Sequence, residues 1–173
     1  MEIVENLEQW QKEFEEGWLA HLKETGEYNW KIYAKIKNQT APAGPRVDLS
    51  QSRLVLISTA GGYLHDSQEP FDAPNTLGDY TIRLFPTSTP FDALAYAHDH
   101  YDHTAVNQDP QVLLPLNHLQ NMVAERFIGE LAPNVISYSG YQPDVVRVVN
   151  DLIPAVVEAV KTEQAHAALL VPA

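Results

Sequence analysis

The sequence predicts an α/β fold: a mainly parallel open sheet with flanking helices, preceded by an N-terminal amphipathic helical arm. Residues 53–60 form a continuous apolar run, which is typical of a strand buried on both faces of a parallel sheet, and residues 167–171 form a second run of the parallel-strand type. Between these runs, helix-periodic and strand-like segments alternate, as in sheets covered by helices. A chain of 173 residues is long enough for one hydrophobic core. We divide it into an arm and linker over residues 1–50 and an α/β domain over residues 51–173.

In the arm, apolar side chains recur mostly three or four residues apart from Glu5 to about Tyr33, with Glu, Gln and Lys between them. This period predicts an amphipathic helix, and Gly26 is expected to end it. The three tryptophans on this stripe are more typical of an arm packed on a core or a partner than of a cofactor site. Residues 38–50 contain two prolines and a glycine with little apolar content, which indicates a linker.

The α/β domain is predicted to contain further strands and two helices. The strands are expected at residues 80–85, 93–97 and 134–138, and the helices at residues 116–127 and 142–163. Pro154 is expected to kink the second helix, because proline lacks the amide hydrogen that a helix interior needs. The strand at residues 167–171 runs straight into Pro172 and Ala173, so we expect one of its faces to lack the usual helical cover.

Charge and composition exclude several classes of protein. Eleven Lys and Arg against 23 Asp and Glu give a formal net charge of -12, which repels phosphate backbones and anionic lipid surfaces. Neither nucleic-acid binding nor membrane binding is therefore expected. No apolar stretch approaches the roughly 20 residues of a membrane helix, and the N-terminus is acidic, so we expect a soluble, cytoplasmic protein. The chain as given has no cysteine, which excludes disulfides, thiolate zinc sites and thiol nucleophiles from it.

Ligands of an open α/β sheet bind at the carboxyl ends of its strands, which directs attention to the segments after each strand. Gly61 and Gly62 follow the first strand, where they could let the backbone approach a ligand or form a tight turn. Arg83 could pair with a substrate carboxylate through its planar guanidinium, or form a surface pair with Asp79.

The densest polar cluster is the segment at residues 98–103, with two more polar side chains shortly after it. Its candidate pocket-lining residues are His98, His100, Tyr101, Asp102, His103, Asn107 and Asp109. Imidazoles and carboxylates at this spacing can converge on zinc or iron, for which the possible ligands are His98, His100, Asp102 and His103.

Taken alone, the segment resembles the metal-binding motif of metallo-β-lactamase hydrolases. Those enzymes need further ligands downstream, whereas only His118 and His166 follow the cluster here. The alternatives are therefore a metal-dependent hydrolase, a single regulatory or adventitious metal site, and a hydrogen-bonded loop that shapes a pocket without metal.

Four segments, in order, resemble the component B selenoproteins of glycine, sarcosine and betaine reductase and the related selenoprotein subunit of D-proline reductase. They are LVLISTAGG at 54–62, GDYTIR at 78–83, HDHYD at 98–102 with VNQDP at 106–110 and LPL at 114–116, and FIGELAP at 127–133. The likeness covers about Arg53 to Ala173. Members of this family usually carry Gly-Gly where this chain has Asp99-His100, so we expect its pocket to differ from that of a true glycine or proline reductase.

The resemblance implies an oxidoreductase that cleaves a carbon–nitrogen bond of a small amino-acid-like substrate with a selenol and a thiol. In the family, the strand similar to residues 167–172 leads into a selenocysteine, followed a few residues later by a cysteine. We expect that this chain stops at a recoded UGA codon, that its domain is incomplete, and that the redox residue would follow Ala173. The chain alone, without a redox nucleophile or another cofactor, is then expected to be inactive. The alternative is a natural terminus in a non-catalytic paralogue that binds a small ligand.

The resemblance also implies partners. A small-molecule substrate and a reductase partner subunit are expected from the family's complexes. The aromatic stripe of the arm would fit a contact in a homo-oligomer.

Overall fold

The computed structural model describes residues 4–33, 38–40, 44–99 and 101–173, and within them it is a mixed α/β structure with a mainly parallel sheet, flanking helices and an N-terminal helix. This confirms the predicted fold class. The strands are β1 Arg53–Ser58, β2 Gly62–Leu64, β3 Arg83–Pro86, β4 Leu94–Tyr96, β5 Glu130–Leu131, β6 Asn134–Ser137 and β7 Ala167–Val171. The α-helices are α1 Leu7–Glu13, α2 Ala20–Thr25, α3 Thr104–Gln108, α4 Leu116–Ala124, α5 Val145–Arg147 and α6 Ile153–Thr162.

The sheet is organised around β1. β7 pairs with β1 in parallel along one edge, from Leu54 opposite Ala167 to Ser58 opposite Val171. The other edge of β1 is shared by β5 at its start and β6 at its end, both parallel. β3 lies beyond β6 and runs antiparallel to it. The carboxyl ends of β1, β6 and β7 therefore meet at one end of the sheet, which is where open α/β sheets bind their ligands.

β1 is buried on both faces, as its apolar sequence predicted, and only Arg53 at its start is half-buried. Successive side chains of a strand point to opposite faces, so β1 contributes to two cores. Leu56 belongs to an apolar cluster with Leu119 of α4. Val55 belongs to the cluster that contains Ala159 of α6. Helices α4 and α6 thus cover opposite faces of the sheet.

Two predicted strands differ in detail from the expectation. The segment at residues 80–85 becomes β3, which begins only at Arg83 and is antiparallel. Tyr80 is buried, and its hydroxyl accepts a hydrogen bond from Asp144 N at 2.8 Å, so its apolar ring packs beneath α5 instead of joining the sheet. The segment at residues 93–97 becomes β4, which pairs with β2 in a separate two-stranded antiparallel sheet.

The N-terminal helix consists of α1, a π-helical segment at Phe14–Leu19 and α2. It ends at Gly26, whose φ of 73° is the left-handed conformation of a helix C-cap, as predicted. Trp30 and Tyr33 lie beyond this end, so the predicted helical stripe stops before them. α1 packs against α5, and the Tyr33 hydroxyl donates to Pro143 O at 2.8 Å. The N-terminal segment therefore lies against the α/β part of the chain, and the division at residue 50 stays a prediction.

The long helix predicted at residues 142–163 is interrupted. A π-helical segment, Val148–Leu152, separates α5 from α6, and Pro154 lies in the first turn of α6. Proline has no amide to bond back along a helix, and a π segment is a way to absorb the missing bond. None of the helices in the described ranges is long and apolar enough to cross a membrane.

β7 lies at the edge of the sheet, next to β1. Its residues alternate between half-buried and exposed, with Ala168 and Leu170 on the exposed side. Leu170 has 63% of its surface exposed, which is high for a leucine in a strand. One face of β7 is thus uncovered, as its sequence led us to expect.

Candidate functional site

A cavity of about 360 Å³ opens at the carboxyl ends of β1, β6 and β7; we call it the strand-end cavity. It is lined by Thr59, His98, Tyr138, Gly140, Tyr141, Gln142, Pro172 and Ala173. Each of these residues lies just after a strand or in the segment that follows it. The cavity thus forms where the topology of a parallel sheet predicts a binding site.

Gly140 lets two polar side chains approach the backbone closely in this cavity. A Cβ atom built on Gly140 would lie 3.0 Å from Thr59 Oγ1 and 3.2 Å from His98 Nε2. Thr59 Oγ1 also accepts a hydrogen bond of 2.7 Å from Ala173 N. A hydroxyl, an imidazole and the end of β7 are therefore gathered within one small space.

His98 is buried, with 6% of its surface exposed. Its ring lies 4.8 Å from that of Tyr101, which in turn stacks on His103 at 4.4 Å. Because a carbonyl oxygen can only accept, His103 Nε2 donates to His98 O at 2.6 Å. Burial raises the pKa of Tyr101 to about 12, and its protonated hydroxyl donates to Ala60 O at 3.2 Å. His98, Tyr101 and His103 thus contact one another, and Tyr101 connects them to the end of β1.

A second cavity, of about 380 Å³, lies next to His103. It is lined by Phe91, Leu94, Ala95, Tyr96, His103, Val106, Asn107 and Pro110. His98 lines the first cavity, while His103 and Asn107 line the second. The predicted histidine cluster therefore divides between two spaces.

The two predicted acidic residues stabilise turns. Asp102 is exposed and accepts hydrogen bonds from Thr104 Oγ1 at 2.7 Å and Thr104 N at 2.9 Å. These bonds hold the pKa of Asp102 below its ordinary value. Asp109 accepts from Gln111 N at 2.9 Å at the start of a short 3₁₀ helix. Both carboxylates lie outside the lining of either cavity.

Gly61 forms a tight turn between β1 and β2. Its φ is 65°, its amide donates to Tyr138 O, and its carbonyl accepts from Ala97 N, each at 3.0 Å. A Cβ atom at Gly61 would collide with Ala97 O. Gly62 is buried at the start of β2. Of the two readings of this glycine pair, the geometry supports the tight turn.

Arg83 is engaged with the loop before β3. Its Nε donates to Glu69 O at 2.9 Å and its Nη2 to Pro70 O at 3.2 Å. Its guanidinium lies 4.4 Å above the ring centre of Phe71, and Nη1 donates to Thr81 Oγ1 at 2.7 Å. The structure thus places Arg83 as an organiser of this loop, outside both cavities.

The structure offers no support for the predicted zinc or iron site. His100 lies outside the described residues. Among those that are described, no group of three or more His, Asp or Glu side chains could hold a metal ion. His103 forms a hydrogen bond with the His98 carbonyl, and Asp102 forms one with Thr104. These contacts do not support the alternative of a metal-dependent hydrolase.

The sequence did not predict two residues of the strand-end cavity, Thr59 and Tyr138, whereas the segment at 139–142 and the residues after Val171 were expected at this end of the sheet. Thr59 and Tyr138 were read as parts of strands, although each follows the last residue of its strand. Their position in the chain could have identified them, because the first residue after a parallel strand lies at the end of the sheet where ligands bind.

Comparison with known proteins identifies the family. The family described as glycine/sarcosine/betaine reductase selenoprotein B matches residues 19–172. This is most of the chain, and the chain belongs to that family. No solved structure matches the chain.

Two curated relatives are similar to the chain. D-proline reductase subunit gamma of Acetoanaerobium sticklandii is 26% identical over 140 residues, which cover 81% of this chain and 56% of the relative. The sarcosine reductase complex component B subunit beta of Peptoclostridium acidaminophilum is 26% identical over 117 residues, covering 66% of this chain and 26% of the relative. The chain thus spans about half of the first relative and about a quarter of the second.

Proposed function

We propose that this chain supplies the substrate pocket of a reductase that cleaves a carbon–nitrogen bond in a small amino-acid-like substrate, using a selenol and a thiol. The hydrogen bond from Ala173 N to Thr59 Oγ1 carries this proposal, because it holds the segment after β7 in the strand-end cavity with His98. In the family, a selenocysteine follows the corresponding strand. A residue that followed Ala173 would enter this same cavity.

The reaction balances with these groups. Cleaving the carbon–nitrogen bond to a carbon–hydrogen bond and an amine consumes two electrons and two protons. Oxidising one selenol and one thiol to a selenium–sulfur bond releases two electrons and two protons. The nitrogen leaves more readily when it is protonated, so a proton donor close to it would accelerate the cleavage.

We propose His98 as that donor. An imidazole is suited to proton transfer near neutral pH. His98 is buried at the cavity wall, and its backbone carbonyl is held by His103. Tyr101 and His103 then support His98, and Asn107, which lines the second cavity, is a secondary candidate for contact with the substrate.

We also propose that the chain works with a partner subunit. The two relatives are named as a subunit of one reductase and a component of another reductase complex. Turnover would then require both this chain and its partner subunit.

The first test is the intact mass and selenium content of the protein isolated from its native source. We expect a product larger than 19.4 kDa that contains selenium. A selenium-free product of 19.4 kDa would contradict the proposal and favour a paralogue that binds a small ligand without redox chemistry.

A second test uses the 173-residue chain directly. Calorimetric titration with D-proline and sarcosine should show binding of at least one of them. His98→Gln should weaken that binding about tenfold, the effect of losing roughly 1.4 kcal/mol. His118→Gln, at an exposed position of α4, is the matched control and should leave it unchanged. Equal affinities for the two variants would remove His98 from the site.

A further inference from the structure

The N-terminal segment carries a continuous group of aromatic rings that reaches the strand-end cavity. We call it the aromatic cluster; it comprises Phe14, Trp18, Tyr28, Trp30, Tyr33 and Tyr141. Trp18 is fully buried at its centre, and its ring lies 5.1 Å from that of Trp30. The cluster joins residues that are more than 100 positions apart in the chain.

Tyr141 is the member that belongs to both features. Its ring is nearly perpendicular to those of Tyr28, at 6.5 Å and 84°, and Trp30, at 5.9 Å and 86°. Its hydroxyl donates to Thr76 O at 2.9 Å, and burial raises its pKa, so the phenol keeps this proton. The same side chain lines the strand-end cavity. The arm therefore contacts one wall of the cavity directly.

A second contact fixes the same wall two residues further on. The Tyr33 hydroxyl donates to Pro143 O at 2.8 Å, and its ring contacts that of Trp30 at 5.6 Å. On the other side, a Cβ atom at Gly78 would collide with Tyr141 O, which shows how closely the loop before β3 packs on this wall. The segment at 138–143 is thus held between the arm and that loop.

From this arrangement we infer that the aromatic cluster positions the wall of the strand-end cavity, with Trp30 and Tyr28 acting as positioning residues through Tyr141. Trp30 and Tyr28 are 46% and 43% exposed. Rings that are half exposed bury less apolar surface in the hydrophobic core than Trp18 does. Their main contacts are with neighbouring aromatic rings, including Tyr141. The effect on ligand affinity rests on the proposed function, whereas the effect on the wall does not.

Amide hydrogen exchange by NMR tests the inference on the chain itself. Gly140 N donates to Thr59 O at 3.0 Å, so its exchange rate reports how often the wall opens. Trp30→Ala should accelerate exchange at Gly140 about tenfold, and Trp30→Phe, which keeps a ring, should stay within about twofold of the wild type. His166 N, which donates to Arg53 O at the far end of the sheet, should not change and serves as the internal reference.

Trp10→Ala is the matched control variant. Trp10 lies on α1, in the same arm, and the ring contacts described for the chain do not include it in the cluster. It should leave exchange at Gly140 unchanged. If Trp30→Ala does not fold, Tyr28→Ala takes its place with the same expectation. Unchanged exchange at Gly140 in a folded Trp30→Ala or Tyr28→Ala variant would overturn the inference.

Titration with D-proline and sarcosine separates this inference from the proposed function. If the wild type binds either probe, Trp30→Ala should weaken that affinity at least threefold and Trp30→Phe should restore it. If the wild type binds neither probe, the proposed substrate class fails while the exchange rates still decide the role of the cluster. Binding with unaltered exchange would retain the proposed function and reject the positioning role.

Discussion

The main-chain amide of Ala173 donates to Thr59 Oγ1 at 2.7 Å, while Thr59 N donates to Val171 O at 3.1 Å. One residue at the end of β1 therefore bonds the end of β7 through both its backbone and its side chain. The backbone bond from Thr59 N to Val171 O continues the sheet. The bond from Ala173 N to Thr59 Oγ1 holds the segment after β7 in the strand-end cavity.

We expect Thr59→Val to release this segment. Valine keeps the shape of threonine but leaves the Ala173 amide without its acceptor, which should lower the free energy of unfolding by about 1 kcal/mol. Urea denaturation would measure the loss, and amide exchange at Ala173 would locate it. Thr59→Ser retains the hydroxyl and should preserve the protection of that amide; equal behaviour of the two variants would mean that the bond does not form in solution.

Gly61 and Gly26 form a matched pair for testing the turn after β1. Both have positive φ, 65° and 73°, so alanine at either position should cost about 1 kcal/mol in backbone strain. At Gly61 the new methyl group would also collide with Ala97 O, whereas nothing lies within 4 Å of it at Gly26. We expect Gly61→Ala to cost at least about 3 kcal/mol in urea denaturation, clearly more than Gly26→Ala. Similar losses would show that the turn adjusts without strain.

Gly140→Ala should affect ligand binding more than stability. Its methyl group would press on Thr59 Oγ1 and His98 Nε2, both of which line the strand-end cavity. We expect the affinity for D-proline or sarcosine to fall at least about tenfold, equivalent to roughly 1.4 kcal/mol. Gly44→Ala, at a position with nothing within 4 Å, controls for the substitution itself. Calorimetric titration of both variants decides the outcome, and an unchanged affinity for Gly140→Ala would place the ligand elsewhere.

Asp79 should make the free energy of unfolding depend on pH in the acid range. Burial alone would raise its pKa, but hydrogen bonds from Thr81 and from Asp72 N, with the nearby Arg83 charge, lower it overall. A carboxyl whose folded pKa lies below its unfolded value stabilises the fold above the unfolded pKa, and this contribution is lost as pH falls through the folded pKa. We therefore expect Asp79→Asn to be less stable by about 1 kcal/mol at pH 7 and to converge with the wild type near pH 2. Urea denaturation at several pH values measures this; a constant difference across that range would contradict it.

The sequence allowed the central part of the fold to be predicted because burial on two faces leaves a distinct apolar pattern. β1 was recognised in this way, β7 was recognised from its apolar run although one of its faces is exposed, and Gly26 marked a helix end through its conformational freedom. The pairing partner of a strand depends on distant residues, so the separate sheet of β4 could not be predicted from its own sequence. Tyr80 was predicted to lie in a strand because an aromatic side chain can be buried in a sheet as well as beneath a helix.

The candidate site was predictable in place but not in detail. Parallel strands fix which end of the sheet binds ligands, and the cavity lies there. Neighbours in sequence need not line the same cavity, however: His98 lines the first cavity and His103 lines the second. No sequence motif marks Thr59, because its role depends on a hydrogen bond to a residue 114 positions away.

The position of β7, at the edge of the sheet and with one face uncovered, has a practical consequence for handling this chain. Natural edge strands usually carry charged side chains or prolines that discourage a strand from another molecule from pairing with them. β7 reads Ala-Ala-Leu-Leu-Val, and Leu170 is 63% exposed. Concentrated solutions of the 173-residue chain should thus be prone to aggregation through this edge, despite a net charge of -12 that otherwise keeps the molecules apart.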